Sequence, residues 1–215
     1  DLDLYDGTIP LPDGQDIVGA GMRVTEWSDT EFLEEQAIGL SRPLSKADLE
    51  AFGKDAPSGW EYKSISTSNS SSILVMTRDD DLWLALKISP NPEAGQPPVQ
   101  ATLERIVNEV PKPEWLATLP VPDDGTLVAI GEGVGGMVTA TWRYPAGQVD
   151  AAIDFYASGV LEQAGFTLVD PDSIALGASY IDVTVGDWVG QVIVGESTIN
   201  GASYAEVTWA LGRPA

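Results

Sequence analysis

Residues 119–123 read Leu119-Pro120-Val121-Pro122-Asp123, and the same alternation of apolar residue and proline, closed by an aspartate, stands 110 residues earlier as Ile9-Pro10-Leu11-Pro12-Asp13. Each copy leads into a Gly-rich stretch, Gly19-Ala20-Gly21 or Gly131-Glu132-Gly133, which reads as a turn. A strand-like alternation and then a proline, Pro43 or Pro145, follow in both. A recurrence of this length means a duplicated structural unit, and it governs how every later segment is read.

A helix follows each proline. In the first copy Ser45 and Asp48 stand at capping-box spacing ahead of a short helix holding Leu49 and Phe52. In the second, Val149, Ala152, Ile153, Tyr156, Leu161 and Ala164 fall near one face of a 3.6-residue period. The helices end at Gly59-Trp60 and Gly165-Phe166, β-branched hairpins follow over 73–88 and 179–194 with Trp83 and Trp188 at matching places, and last strands contain Ala101 and Ala205. The offset drifts from 110 to 104 along the chain, as small length changes in an old duplication would produce. The pattern predicts an α+β fold of two tandem β-β-α-β-β-β modules, residues 1–110 and 119–215, each an antiparallel sheet with one helix packed on a face. Residues 111–118, opening Pro111-Lys112-Pro113-Glu114-Trp115, read as a Pro-rich linker because each proline disfavours helix in the residue before it.

Composition bounds the chemistry. Hydrophobic residues make up 43% and charged residues 20% of the 215, which suits a globular chain with a real core. Eleven basic against 33 acidic residues give a net charge of −22, which repels phosphate backbones, so nucleic acid is excluded as a partner. The first reading of that charge is solubility; the others are a cationic partner, a metal ion or a salty medium. There is no Cys and no His, which removes disulfides, thiolate sites and the usual base of a nucleophilic triad. No apolar stretch is long enough to cross a bilayer as a helix, and no cofactor or metal is expected. The chain opens at Asp1 rather than Met, and the expected location is extracytoplasmic: secreted, or anchored to the cell envelope through a removed N-terminal segment.

Motifs that could carry activity lack their context. Gly131-x-Gly133-x-x-Gly136 has dinucleotide-binding spacing, but the β-branched run 137–142 that follows offers no helix N-terminus for a pyrophosphate, so the glycines read as a hairpin turn. No Ser stands three residues before any Lys, and no G-x-S-x-G occurs. The acidic pairs Asp13 with Asp16, Glu34 with Glu35 and Asp123 with Asp124, and the run Asp79-Asp80-Asp81, are the catalytic chemistry left in quantity, through a carboxylate pair acting on a glycosidic bond. The Asp run could also hold Ca²⁺, yet it lacks the spacing and distal Glu of a dedicated loop and reads as a solvated turn. Of the seven Trp, Trp83 and Trp188 occupy matching positions and read as structural, whereas Trp27, Trp115 and Trp142 are unmatched between copies and are the candidate ligand-binding residues.

Around Tyr144-Pro145 and the helix at 150–166, with Phe155-Tyr156-x4-Leu161-x3-Gly165-Phe166, the chain resembles a loose group of secreted or lipid-anchored bacterial proteins, often actinobacterial, of unknown function. In that group the helix reads F-Y-x3-L-x3-G-W or G-F, one residue shorter between Tyr and Leu. The same residues and the tandem modules also resemble the vicinal oxygen chelate superfamily, which implies paired βαβββ modules and, without His, only a metal-free member that sequesters a small hydrophobic compound. The resulting expectation is a non-catalytic extracytoplasmic binding or interaction protein of unknown ligand or cell-envelope partner. The alternatives are a carboxylate-dependent glycan hydrolase and a metal-free sequestering protein.

Overall fold

The computed structural model describes residues 9–28, 30–68, 71–79, 82–89, 92, 96–133, 136–170 and 179–213. They group into two compact units, Asp1–Arg23 with Trp27–Glu109, and Val24–Glu26 with Val110–Ala215. The first unit runs β1 (Ile17–Glu26), β2 (Phe32–Leu40), α1 (Lys46–Lys54), β3 (Glu61–Thr67), β4 (Ser72–Arg78), β5 (Leu82–Ile88) and β6 (Val99–Val107), with the last three residues of β1 counted in the second unit. The second runs β7 (Thr126–Glu132), β8 (Val138–Pro145), α2 (Val149–Phe155), a π-helical turn (Tyr156–Val160), α3 (Leu161–Gln163), β9 (Thr167–Leu168), β10 (Tyr180–Val185), β11 (Trp188–Ile199) and β12 (Ala202–Gly212).

The expected α+β class is corrected. Strand accounts for 51% of the described residues and helix for 16%, so the protein is a β-rich, mostly antiparallel fold and not a pair of β-β-α-β-β-β modules. Each unit has six strands among the described residues, one more than expected. The added strand directly follows the helix. β3 reads Glu61-Tyr62-Lys63-Ser64-Ile65-Ser66-Thr67 and is exposed along almost its whole length, because as an edge strand it buries no continuous face and shows no alternation to read. Its counterpart β9 is two residues long, too short for any period to register.

Strand order is the same in both units: β3-β4-β5-β6-β2-β1 in the first and β9-β10-β11-β12-β8-β7 in the second. The stretch Gly19-Ala20-Gly21, expected as a turn, lies inside β1. Gly131-Glu132 likewise ends β7, and the turn itself begins at Gly133, whose N–H donates to the Met137 carbonyl at 2.7 Å. Strand β8 follows at Val138, so the glycines of the dinucleotide-like motif serve a strand-to-strand turn. Within residues 111–118, read as a Pro-rich linker, Glu114–Thr118 forms a 3₁₀ turn, and the residues from Val110 onward group with the second unit.

In the first unit α1 starts as its sequence dictates. The Ser45 N–H donates to Asp48 Oδ2 at 2.7 Å and the Ser45 hydroxyl accepts from the Asp48 N–H at 3.2 Å, a reciprocal cap that, through the Ser45 backbone above all, holds the Asp48 carboxyl below its ordinary value. The helix packs on β3 and β4. A Cβ on Gly53 would lie 2.8 Å from both Leu74 Cδ1 and Tyr62 Cδ2, so the helix axis can come this near the sheet only because that residue is glycine. Leu49 joins Leu74, Met76, Leu84, Leu86, Ile38, Leu40 and Ala101 in the core, with Ile9 buried among them.

In the second unit the helical segment is longer and broken by a kink at Gly159, whose φ of +84° is left-handed. Tyr156 and Leu161 are both buried although they are five residues apart, a separation that would put them about 140° apart around an α-helix at 3.6 residues per turn. The kink between them returns both to the core side, and the extra residue in the Phe155-Tyr156-x4-Leu161 spacing is absorbed there. Ala152 shares the buried face, Val149 and Ile153 are half-buried, and Ala164, expected there too, is exposed.

The segment at 119–123 is tied down from the core. Leu119 is buried, the Tyr156 hydroxyl donates to the Pro120 carbonyl at 3.1 Å, and the Tyr144 hydroxyl donates to the Pro122 carbonyl at 3.0 Å. Burial, and to a lesser degree the Asp123 charge, pushes the Tyr144 phenol up to about 12, and burial raises Tyr156 further. Both folded-state values lie above the unfolded tyrosine value of about 10. Their stabilising contribution is therefore fully present below pH ~10 and is lost as pH rises from there towards the folded-state values. Melting temperatures taken at stepped pH from 9 to ~12 should fall more steeply for the wild-type chain than for Tyr144→Phe. Parallel curves would show that Tyr144 does not contribute.

Candidate functional site

The three aromatic candidates occupy different environments. Trp142 lies on the inward face of β8, 8% exposed, opposite Val207 of β12 and Leu127 of β7, and is a core residue. Trp115 is half-buried in the 3₁₀ turn. Its Nε1 is shut off from water with no hydrogen-bond partner among the described residues. Trp27 belongs to the first unit and is 62% exposed in the turn between β1 and β2. The structure does not assemble the three into one aromatic surface: Trp142 faces the core, while Trp27 faces water.

The turn that presents Trp27 is fixed by its own hydrogen bonds. The N–H groups of Trp27 and Ser28 both donate to the Glu31 carbonyl, at 2.9 and 3.0 Å, and the Ser28 hydroxyl donates to Glu31 Oε2 at 3.2 Å. The preceding carboxylate, Glu26, is taken up elsewhere, accepting from Arg143 at 2.6 Å. That leaves Glu31 as the carboxylate of the turn with no basic partner among the described residues. Large aromatics are on average well buried, and Trp27 at 62% and Tyr180 at 60% are the most exposed aromatics among the described residues, Trp27 being the one on a turn braced by Glu31 and Ser28.

The acidic pairs diverge. Successive strand residues point to opposite faces, which sends Glu34 inward and Glu35 outward. Glu35 accepts from Arg23 at 2.7 Å on the outer face. Glu34 is 4% exposed and accepts from Gln36 Nε2 at 2.8 Å and from Arg105 at 2.9 Å. Asp13, Asp16, Asp123 and Asp124 are exposed and lie in connecting segments. Asp79 is exposed at the end of β4, while Asp80 and Asp81 lie outside the described residues. Two carboxyls converging in a cleft are what glycoside hydrolysis needs, and none of these described pairs provides that arrangement. No group of three or more acidic side chains that could hold a metal ion occurs among the described residues.

Two polar clusters were not anticipated from the sequence. One is the buried pair Glu34 and Gln36 in the first unit, joined by Arg105, whose side chain is 51% exposed. The other lies on the outer face of the second unit, where Arg143 donates to Glu26 and to Glu206, at 2.6 and 3.1 Å, and lies 4.9 Å from the Tyr204 ring centroid. Burial works against the Arg143 charge, but the hydrogen bonds and charges of the two glutamates outweigh it and hold the guanidinium protonated more firmly than usual.

No protein-family model matches the chain, and no curated protein matches it. Among solved structures it is similar, at 10% identity, to a chain of the Pseudomonas aeruginosa MucA/MucB complex, over 94% of this chain and 89% of that one. The TM-score is 0.17, and the likeness carries no argument about fold or function. No helix among the described residues is long and apolar enough to cross a membrane.

Proposed function

We propose that the chain is a non-catalytic extracytoplasmic binding protein that engages its partner through the Trp27 turn. The observation that carries this reading is the exposed indole on a backbone fixed by Glu31 and Ser28. Aromatic anchors of this kind dominate recognition surfaces because they supply large contact area while losing little conformational entropy. The separation of Glu34 from Glu35 across the sheet supports binding over carboxylate-pair catalysis. The extracytoplasmic location rests on the resemblance of the Phe155-Tyr156 helix to secreted and lipid-anchored proteins.

The test compares the wild-type chain with Trp27→Ala, after circular dichroism and melting have shown the two folds equal. Each is immobilised and exposed to cell-envelope extract at low and at physiological salt. Wild type is expected to retain a component that the variant loses. Equal retention by both, or retention by neither, overturns the assignment.

A further inference from the structure

We infer that the partner of the Trp27 turn is a basic protein segment, with a Lys or Arg side chain seated on the indole face beside Glu31; this rests on the binding reading above and names its partner. The chain shows how it treats its other aromatics. Arg78 lies 5.4 Å from the Trp60 ring centroid, Arg143 4.9 Å from Tyr204, and Arg213 5.1 Å from Trp188. Three of its cations thus cover aromatic faces, while Trp27, the most exposed of the tryptophans, has no cation of its own chain over it among the described residues.

The charge around it is complementary to such a partner. Residues 27–31 carry two acidic residues, Asp29 and Glu31, and no basic residue, while Glu26 before them is already paired with Arg143. Across the described residues Arg23, Lys46, Lys63, Arg78, Arg105 and Arg143 are ion-paired with carboxylates of this chain, and all eleven basic residues are already counted in the net charge of −22. A net −22 steers basic surfaces inward and anionic ones away. A turn that leaves 62% of Trp27 in water cannot enclose a small molecule, whose sites bury most of the ligand, so a segment of a larger partner fits better than a free cation.

The experiment titrates the whole chain with an octa-arginine peptide at low and physiological salt, using wild type, Trp27→Ala, Trp27→Phe and Glu31→Gln, with tetramethylammonium as a small-cation competitor. Wild type should bind, with affinity falling as salt rises. Trp27→Ala should bind roughly fivefold more weakly at physiological salt with an unchanged salt slope, and Trp27→Phe should recover part of the loss. Glu31→Gln should flatten the slope. Peptide affinity equal in wild type and Trp27→Ala would mean general attraction to an acidic surface and overturns the inference. No peptide binding, or tetramethylammonium binding that depends on Trp27 without any gain from the peptide, also overturns it. If envelope capture depends on Trp27 in any of those cases, the site stands and only the partner class falls; loss of both removes the site as well.

Discussion

Replacing Trp209 by alanine is expected to lower the stability of the second unit by about 3–5 kcal/mol, the range for removing a large aromatic from a closed core. Trp209 is 1% exposed on the inward face of β12, opposite the small Ala140 of β8 and next to Val192 of β11. Its ring centroid lies 5.0 Å from Phe166 and 6.2 Å from Tyr156, and its Nε1 donates to the Tyr156 hydroxyl at 3.3 Å. That hydroxyl in turn holds the Pro120 carbonyl. The substitution therefore opens a cavity and also removes a donor from a chain of hydrogen bonds that fastens the segment at 119–123. Thermal unfolding should show a midpoint lower by about 15 °C or more. A fall of only a few degrees would mean that the sheet and helix collapse into the space, contrary to the packing described.

The Glu34–Arg105 pair of the first unit should respond asymmetrically. Arg105→Ala removes the basic partner of the buried Glu34 carboxylate and leaves Gln36 as its donor among the described residues; because the Arg105 side chain is itself 51% exposed, water takes up part of the loss, and the expected cost is about 1–3 kcal/mol. Replacing both ends with apolar residues, Glu34→Val with Arg105→Leu, should instead be neutral or stabilising, because the desolvation of the ion pair disappears along with its attraction. The second unit already shows such a face, with Val138, Ala140 and Trp142 inward on β8 and Val207, Trp209 and Leu211 on β12. Urea unfolding of the single and double variants distinguishes the cases. A double variant as unstable as Arg105→Ala would show that the pair is needed for more than mutual compensation.

How far the sequence could be read depended on what each segment buries. Both capped and uncapped helices, the hairpins over 73–88 and 179–194, and the recurrence of elements were legible because each carries a period or a cap set by local chemistry. β3 was not, since an edge strand exposed on both faces has no reason to alternate. The inward Glu34 and Gln36 could have been found: Leu40 and Ile38 fix the parity of β2, and the same parity places 36 and 34 on the core side. Parity with Tyr144 and Val138 likewise puts Trp142 inside, and only the preference for unmatched tryptophans made it a ligand candidate. The Arg143 cluster joins residues 63 and 117 positions away, and no local pattern announces a contact of that range. The exposure of Trp27 was similarly hidden, because a turn carries no period from which to infer which way its side chain faces.

Strand order has a consequence for synthesis. In each unit the last strand made is also an interior one: β6 separates β5 from β2, and β12 separates β11 from β8. Until Val99–Val107 has left the ribosome, the hairpin of β1 and β2 and the meander of β3, β4 and β5 have no strand to join them, and both expose an unpaired edge. The same holds in the second unit until Ala202–Gly212 is complete. A nascent unit therefore gains little from growing by one more hairpin and closes in a single late step, so a chain cut short before its final strand loses the middle of the sheet and not its margin.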